Sequence, residues 1–367
     1  MALKRNPSNT ADSRAKGVVT EEMAMDAIRV GIVGAGSNTR LRHIPGLLAA
    51  PGVELVAVVN RTLESGRRVA EEYRIPRVCK SWQEVVAAPD IDAVVIGTWP
   101  YLHAEVSIAA LNAGKHVLCE ARMACDLAEA RRMLEASRQH SSLVTQVVPS
   151  PFTLSVDACI RRLIKEGAVG QLLGIDIVDH RPGFPDLDAP AGWRELSEFS
   201  GLNIMSLGIW YEAVIRWLGV ADSVQASGGL MVNQRRDPAT GAMRDLDIPD
   251  WLCATASMRC GATALFSIRN VGGLVPRREC VLTGDEGSLR FDGVTLSLGR
   301  RNDERMEAVQ VPDTERGQWR VEQEFVDAVR GVAPVRLTTF EDGVRYMAFT
   351  QAVADSLCSG QIESVQE

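Results

Sequence analysis

A doubly wound α/β domain with a parallel sheet, followed by an α+β domain with a large, mostly antiparallel sheet, is the fold class this 367-residue sequence predicts. Three observations predict it. From Ile28 to Val148, apolar runs alternate with helical patterns, as expected of a parallel sheet covered on both faces. Pro149 and Pro151 then end the alternation. From Gly170 onward the apolar period becomes two, with Gly261, the Gly284–Gly287 run and Asp292-Gly293 as hairpin signals.

The first domain's strands are expected at Ile28–Val33, Val53–Val59, around Val78, Ile91–Ile96, Gly114–Cys119 and Leu143–Val148. Helices are expected between them, near Arg40–Ala49, Leu63–Tyr73, Ser81–Ala87, Tyr101–Ala113 and Leu127–His140. An amphipathic helix over Leu154–Glu166 opens the second domain. Strands follow at Leu172–Arg181, Asp222–Val232, Cys253–Met258, Thr263–Arg269, Glu279–Thr283 and Gly287–Phe291. A helix over Ile204–Leu218 interrupts them, and helices over Arg320–Val329 and Phe340–Ser359 close the chain.

With 46% hydrophobic residues, a chain of this length buries a large core and divides into two domains. The formal charge of -7, without a basic stripe, argues against a nucleic-acid partner. No apolar stretch approaches the ~20 residues that span a bilayer, so no membrane role is expected. Residues 1–25 are polar and lack the apolar segment of a secretory signal. They read as a flexible arm, or one that wraps a neighbouring subunit, and the expected location is cytoplasmic. The eight cysteines show no C-x-x-C spacing and sit mostly inside apolar runs. Buried thiols in a reducing compartment, with no metal site, are the economical reading. The division expected is an arm over 1–25, a nucleotide domain over 26–149 and a substrate and oligomerisation domain over 150–367, whose C-terminal helices can pack back on the first.

The chemistry begins at IRVGIVGAGSNT, Ile28 to Thr39. A buried strand that turns abruptly into a helix presents unpaired N–H groups beside the positive end of the helix dipole, a seat for a pyrophosphate. Gly34 makes the tight turn and Gly36 admits the phosphates, with Ser37 and Asn38 in the first turn. Thr39 stands at the third glycine position of G-x-G-x-x-G, where it loosens packing or adds a hydroxyl donor. The second strand ends on Asn60-Arg61-Thr62, where an acidic residue would bond the ribose 2′-hydroxyl and repel a 2′-phosphate. Asn60 removes that repulsion and Arg61 supplies a forked cation. NADP is therefore expected over NAD.

Further segments carry a family resemblance: GIVGAGSNTRLRHIPGL, TWPYLHAEVSIAALNAGKHVLCE, IKEGAVGQLLGIDI, Gly192-Trp193-Arg194, and EFVDAVRG followed by FEDGVRYMAFTQAVADS. Over roughly Ile28 to Val365 the chain resembles the glucose–fructose oxidoreductase/inositol dehydrogenase/MocA (Gfo/Idh/MocA) family of NAD(P)-dependent sugar and polyol oxidoreductases. The resemblance implies a Rossmann domain whose cofactor also meets the Thr98, Trp99 and His103 loop, Glu120 and Arg122. It implies hydride transfer with proton removal by a His, supported by the Lys of Glu-Lys-Pro and by an Asp one helical turn before the His. Here those segments read Glu120-Ala121-Arg122 and Ser206-Leu207-Gly208-Ile209-Trp210. All three groups are replaced.

His180, at a strand end near the expected cleft and with an ordinary pKa suited to base work, is the best substitute catalytic residue, and the rival is a substrate acidic enough to need no base, such as a hydrated aldehyde or lactol beside Arg122 and Arg194. Arg122, His180, Trp193, Arg194 and Trp210 are expected against the substrate. Glu212 is expected on a solvated helix face, and His103 in a capping or cofactor-loop role. The leading expectation is an NADP-dependent oxidoreductase acting on a small carbohydrate- or polyol-like molecule. The alternatives are a glycoside-cleaving or eliminating enzyme with tightly held dinucleotide, and a non-catalytic dinucleotide-binding sensor. A homodimer or homotetramer is expected through an apolar open face of the C-terminal sheet.

Overall fold

The computed structural model describes residues 27–367, so the arm expected over 1–25 lies outside the described residues. In the first domain β1 (Ile28–Val33), α1 (Ile44–Ala49), β2 (Val53–Val59), α2 (Leu63–Tyr73), β3 (Arg77–Val78), α3 (Trp82–Ala87), β4 (Ala93–Ile96), α4 (His103–Asn112), β5 (His116–Cys119), α5 (Leu127–Gln139) and β6 (Thr145–Val147) alternate. The six strands pair in parallel in the order β3-β2-β1-β4-β5-β6. Strand order reverses beside β1, which opens a crevice at the carboxyl ends of β1, β2, β4 and β5.

One helix departs from expectation. In place of a continuous α-helix over Arg40–Ala49, residues Thr39–His43 form a π turn, with Ile44 N–H donating to Thr39 O, before α1 begins. Pro45 has no N–H to return to the preceding turn, so the hydrogen-bond ladder shifts register there.

The second domain opens with α6 (Asp157–Lys165), β7 (Leu172–His180), α7 (Ser197–Ser200), α8 (Leu207–Leu218) and β8 (Ala221–Gly229). A hairpin of β9 (Gln234–Arg236) and β10 (Met243–Asp245) follows. Then come β11 (Trp251–Met258), β12 (Thr263–Arg269), β13 (Arg277–Gly284), β14 (Gly287–Phe291), β15 (Leu296–Arg300) and β16 (Glu307–Ala308). The chain ends with α9 (Val321–Val329), α10 (Phe340–Ser359) and β17 (Glu363–Ser364). Nine strands form one sheet, β16-β15-β14-β13-β7-β12-β11-β8-β17, antiparallel except for the β7–β12 pair. The β9–β10 hairpin, β15 and β16 are short, polar or exposed, so hydrophobic period offers no signal for them.

Register decides which face of this sheet is covered. Ile175 and Ile177 of β7 pair with Ala264 and Phe266 of β12, and all four are buried. α8 and α10 cover this face, with Tyr211 stacked on Phe349 at 3.7 Å and Phe266 beside both. The opposite face is open, but it mixes Asp176, Ser267, Arg277 and Glu279 with Val178, Leu265 and Val281. The apolar face is thus the covered one, which corrects the expectation of an apolar open face.

The C-terminal helices return to the first domain. Val321, Phe325 and Val326 of α9 share a core with Val30, Ile32, Leu47 and Val58. The cysteines are less uniformly buried than expected: Cys253, Cys260 and Cys358 are exposed, since the first lies on the outward phase of β11. Among the described residues no helix is long and apolar enough to cross a membrane.

Candidate functional site

The loop after β1 is built for close approach. Gly34 has φ +86, and a Cβ there would fall 2.7 Å from the Thr98 methyl and 2.8 Å from the Thr98 backbone N. Gly97, which the sequence reading did not single out, is tighter still. A Cβ on it would lie 2.0 Å from Thr39 Oγ1 and 2.3 Å from Gly34 O. At Gly36 a Cβ would meet only Gly97 O, at 3.7 Å. The loop is therefore clamped on its inner side and open on its outer side. The N–H groups of Gly36, Ser37 and Asn38 precede any carbonyl of the helical turn and are left for a ligand. These residues fit a dinucleotide pyrophosphate.

Several expected cofactor residues hold this loop rather than reach outward. Thr39 is buried and its hydroxyl donates to Gly34 O at 3.1 Å, so it closes the turn instead of offering a donor to phosphates. Asn60 Oδ1 accepts from Ala35 N–H at 2.6 Å, tying the end of β2 to the glycine turn. Arg61 remains exposed, with its guanidinium 5.6 Å from the Trp99 ring. Ser37 is exposed at the first turn.

Glu120, at the end of β5, accepts from Asn38 Nδ2, from Ala121 N–H at 3.0 Å and from the His43 ring at 2.9 Å. Burial opposes its charge, but these donors, His43 foremost, outweigh it and hold its pKa below the ordinary carboxylate value. His43 is fully buried and its other nitrogen lies 2.5 Å from Glu322 Oε1. Burial works against the imidazolium, and the two carboxylates overcome it, raising its pKa to about 9. Neither His43 nor Glu322 is signalled in the sequence, because 279 residues separate them.

His103 is buried, with its ring nitrogens 2.8 Å from Arg122 O and 3.1 Å from Thr98 O. It clasps the loops after β4 and β5, and burial lowers its pKa. Arg122 is 8% exposed, and its Nε has no partner. A Cβ on Gly208 would lie 2.8 Å from Arg122 Cδ, so the Glu120-Ala121-Arg122 turn faces the start of α8. Ala121 and Trp210 stand where the resemblance led one to expect the Lys and the His.

His180 does not join this group. Strand alternation places it with Ser267 on the open face, its Nε2 2.9 Å from Ser267 Oγ. Burial and the cations Arg269 and Arg277 lower its pKa. The inward neighbour is Asp179, 1% exposed. Its Oδ2 accepts from Ser206 Oγ at 2.6 Å and from Trp210 Nε1 at 3.1 Å, and Arg278 lies at 3.2 Å. Asp179 was missed although the phase of Ile175, Ile177 and residue 179 marks it.

Trp210 is fully buried, edge-on to Phe152 at 5.5 Å, and presents no open ring face to a ligand. Glu212 is buried, against the expectation of a solvated face. It accepts from Ser150 N–H at 3.1 Å, from Thr338 Oγ1 at 2.7 Å and from Arg216 at 2.8 Å, and burial raises its pKa. Helix α8 is covered on nearly all sides, so its polar residues had to be paired inside.

Trp193 does reach the cleft. Its ring stacks on Trp99 at 5.6 Å and 14°, and the Arg194 guanidinium lies 4.1 Å from the Trp193 ring centroid. The stacked Trp99 and Trp193 rings, with Arg61 near the first and Arg194 near the second, thus bridge the two domains. Beside it, a cavity of about 390 Å³ is lined by Arg181, Trp193, Arg194, Met205 and Asn270 among others.

Comparison with known proteins agrees with this fold. A profile described as "Oxidoreductase family, NAD-binding Rossmann fold" matches residues 28–147, and one described as "GFO/IDH/MocA C-terminal domain" matches residues 158–290. An uncharacterised oxidoreductase of Rhizobium meliloti is 36% identical over 124 residues, 34% of this chain and 37% of the relative. A 1,5-anhydro-D-fructose reductase of Ensifer adhaerens is 30% identical over 222 residues, 59% of this chain and 65% of the relative. The match therefore spans less than two thirds of either relative. The solved levoglucosan dehydrogenase in complex with NADH and L-sorbose superposes with a TM-score of 0.82 at 21% identity, covering 92% of this chain and 99% of that one. With both of its domains matched in order, the chain belongs to the Gfo/Idh/MocA oxidoreductase family.

Proposed function

We propose that the protein moves a hydride between NADP(H) and a carbohydrate- or polyol-like substrate held between Trp193 and Arg122. The observation that carries this reading is the glycine cradle. Gly34 and Gly97 are packed so closely that neither tolerates a Cβ, while Gly36 faces open space. Such a surface serves backbone approach to a pyrophosphate and has little other use. Bound dinucleotide supplies the hydride acceptor or donor.

The preference for NADP rests on the end of β2. Asn60 is uncharged and engaged with Ala35, and Arg61 leaves an exposed guanidinium on the Trp99 face. A charge-assisted contact to a 2′-phosphate contributes about 1.5–3 kcal/mol, roughly ten- to a hundredfold in affinity. For assembly we propose a homodimer or homotetramer through the open face of the nine-stranded sheet, around the exposed Leu265. The proposed location is cytoplasmic.

Fluorescence titration with NADPH and NADH, followed by turnover assays on neutral and acidic sugars, tests the reading. Tighter NADPH binding with turnover supports it. Equal affinities remove the NADP preference, binding without turnover leaves the sensor alternative, and failure to bind either dinucleotide overturns the whole reading.

A further inference from the structure

Arg181 and Arg194 line the cavity beside the cleft, the buried Arg122 is near enough to feel the charge of both, and no described carboxylate pairs with any of the three. Arg122 is the deepest, and its Nε is sealed without a hydrogen-bond partner. Burial lowers its pKa to about 10, and the like charges of Arg194 and Arg181 push the same way against Tyr346 and Glu120. Arg194 is shifted down as well, first by loss of solvent and then by Arg181. Its guanidinium carbon lies 4.1 Å over the Trp193 ring, a contact that restricts the side chain before any ligand arrives.

The acids around the adjoining cavity are already engaged. Glu195 pairs with Arg235 at 2.9 Å and accepts from Gly192 N–H at 2.7 Å. Asp250 accepts from Met231 and Val232 N–H groups, and Asp186 from those of Asp188 and Ala189. Glu120 is taken up by His43 and Asn38. Like charges brought together with one of them buried destabilise the fold until an anion arrives. The cavity, about 390 Å³, admits a molecule of monosaccharide size.

We propose that Arg181 and Arg194, in the cavity beside the cleft, form a subsite for an oxyanion carried by the substrate, so that the substrate class is acidic sugars, bearing a carboxylate or a phosphoryl group, rather than neutral polyols. This rests on the reading of the cleft as the substrate site. Anion capture is measured here without turnover, so its failure and the failure of that reading are distinguishable.

The experiment is calorimetric titration and thermal denaturation of the protein saturated with NADPH, using D-glucuronate, D-glucose 6-phosphate and D-glucose as probes. At least one acid should bind roughly ten- to a hundredfold more tightly than glucose and raise Tm. Which acid does so separates the carboxylate from the phosphoryl source. Arg194→Ala should abolish that difference, and Arg194→Lys, which keeps the charge but loses the fork, should restore only part of it. Both variants should leave NADPH affinity within about twofold. Glucose binding as tightly as both acids, no acid raising Tm, or Arg194→Ala weakening NADPH as much as the acid would each overturn the proposal. The last outcome would assign the anion to the cofactor's own phosphates.

Discussion

Glu322 of α9 lies 2.5 Å from the Nδ1 of His43, so a carboxylate near the end of the chain is bound to a buried imidazole beside the dinucleotide loop. Trp319 Nε1 donates to the same carboxylate at 3.0 Å, and His43 passes the contact on to Glu120. The C-terminal segment is thereby part of the first domain's electrostatics.

That contact sets a pH dependence. The His43 pKa is raised from 6.5 to about 9, so the stability it contributes is fully present below about pH 6.5 and is lost as the pH rises through about 9. We expect Tm to fall over that window, with a loss on the order of 3 kcal/mol. His43→Gln should lower Tm at pH 6 and flatten the decline. A wild-type Tm that is level from pH 6 to 9.5 would contradict the pairing.

Arg61→Ala should weaken NADPH binding by roughly ten- to a hundredfold and leave NADH nearly unchanged. Fluorescence titration of both reduced cofactors checks it. A uniform loss for the two would instead reflect the Arg61–Trp99 contact.

Gly97→Ala should disable the cofactor loop, because the added methyl would sit 2.0 Å from Thr39 Oγ1. Overpacking of this kind costs about 1–3 kcal/mol, and here the displaced atoms are the glycine turn itself. Loss of dinucleotide binding with the fold retained by circular dichroism is the expected outcome. Gly36→Ala, facing open space, should leave stability intact and impair only binding.

Asp179 and His180 are neighbours with opposite prospects. Asp179→Ala strands the Ser206 hydroxyl and the Trp210 indole N–H in a buried site, at about 1–3 kcal/mol for each unpaired group. His180→Ala removes one contact to Ser267 on the open face and should change stability and turnover little. Denaturation curves and rates for the two variants decide it. A hundredfold loss of turnover in His180→Ala would restore that residue as the base.

Leu265→Asp should yield monomers if the open sheet face is the assembly surface. Light scattering at micromolar concentration measures the mass of wild type and variant. A wild-type monomer removes the proposal.

The nucleotide domain was legible in the sequence because its signals are local. A strand, a glycine turn and a helix over Ile28–Ala49 lie next to one another in the chain, and apolar runs mark buried parallel strands whatever surrounds them. The family resemblance, carried by equally local segments, exposed the replacements at Ala121, Ser206 and Trp210. What the chain order does not carry is pairing across distance. The exchange of His180 for Asp179 turns on which phase of β7 faces α8, and that follows from register against β12. The engagement of Asn60 with Ala35, the union of His43 with Glu322 and the meeting of Arg181 and Arg194 at one cavity belong likewise to tertiary structure. Hydrophobic period reports which side of an element is buried, whereas a polar site is set by which buried groups find partners and which are left without one.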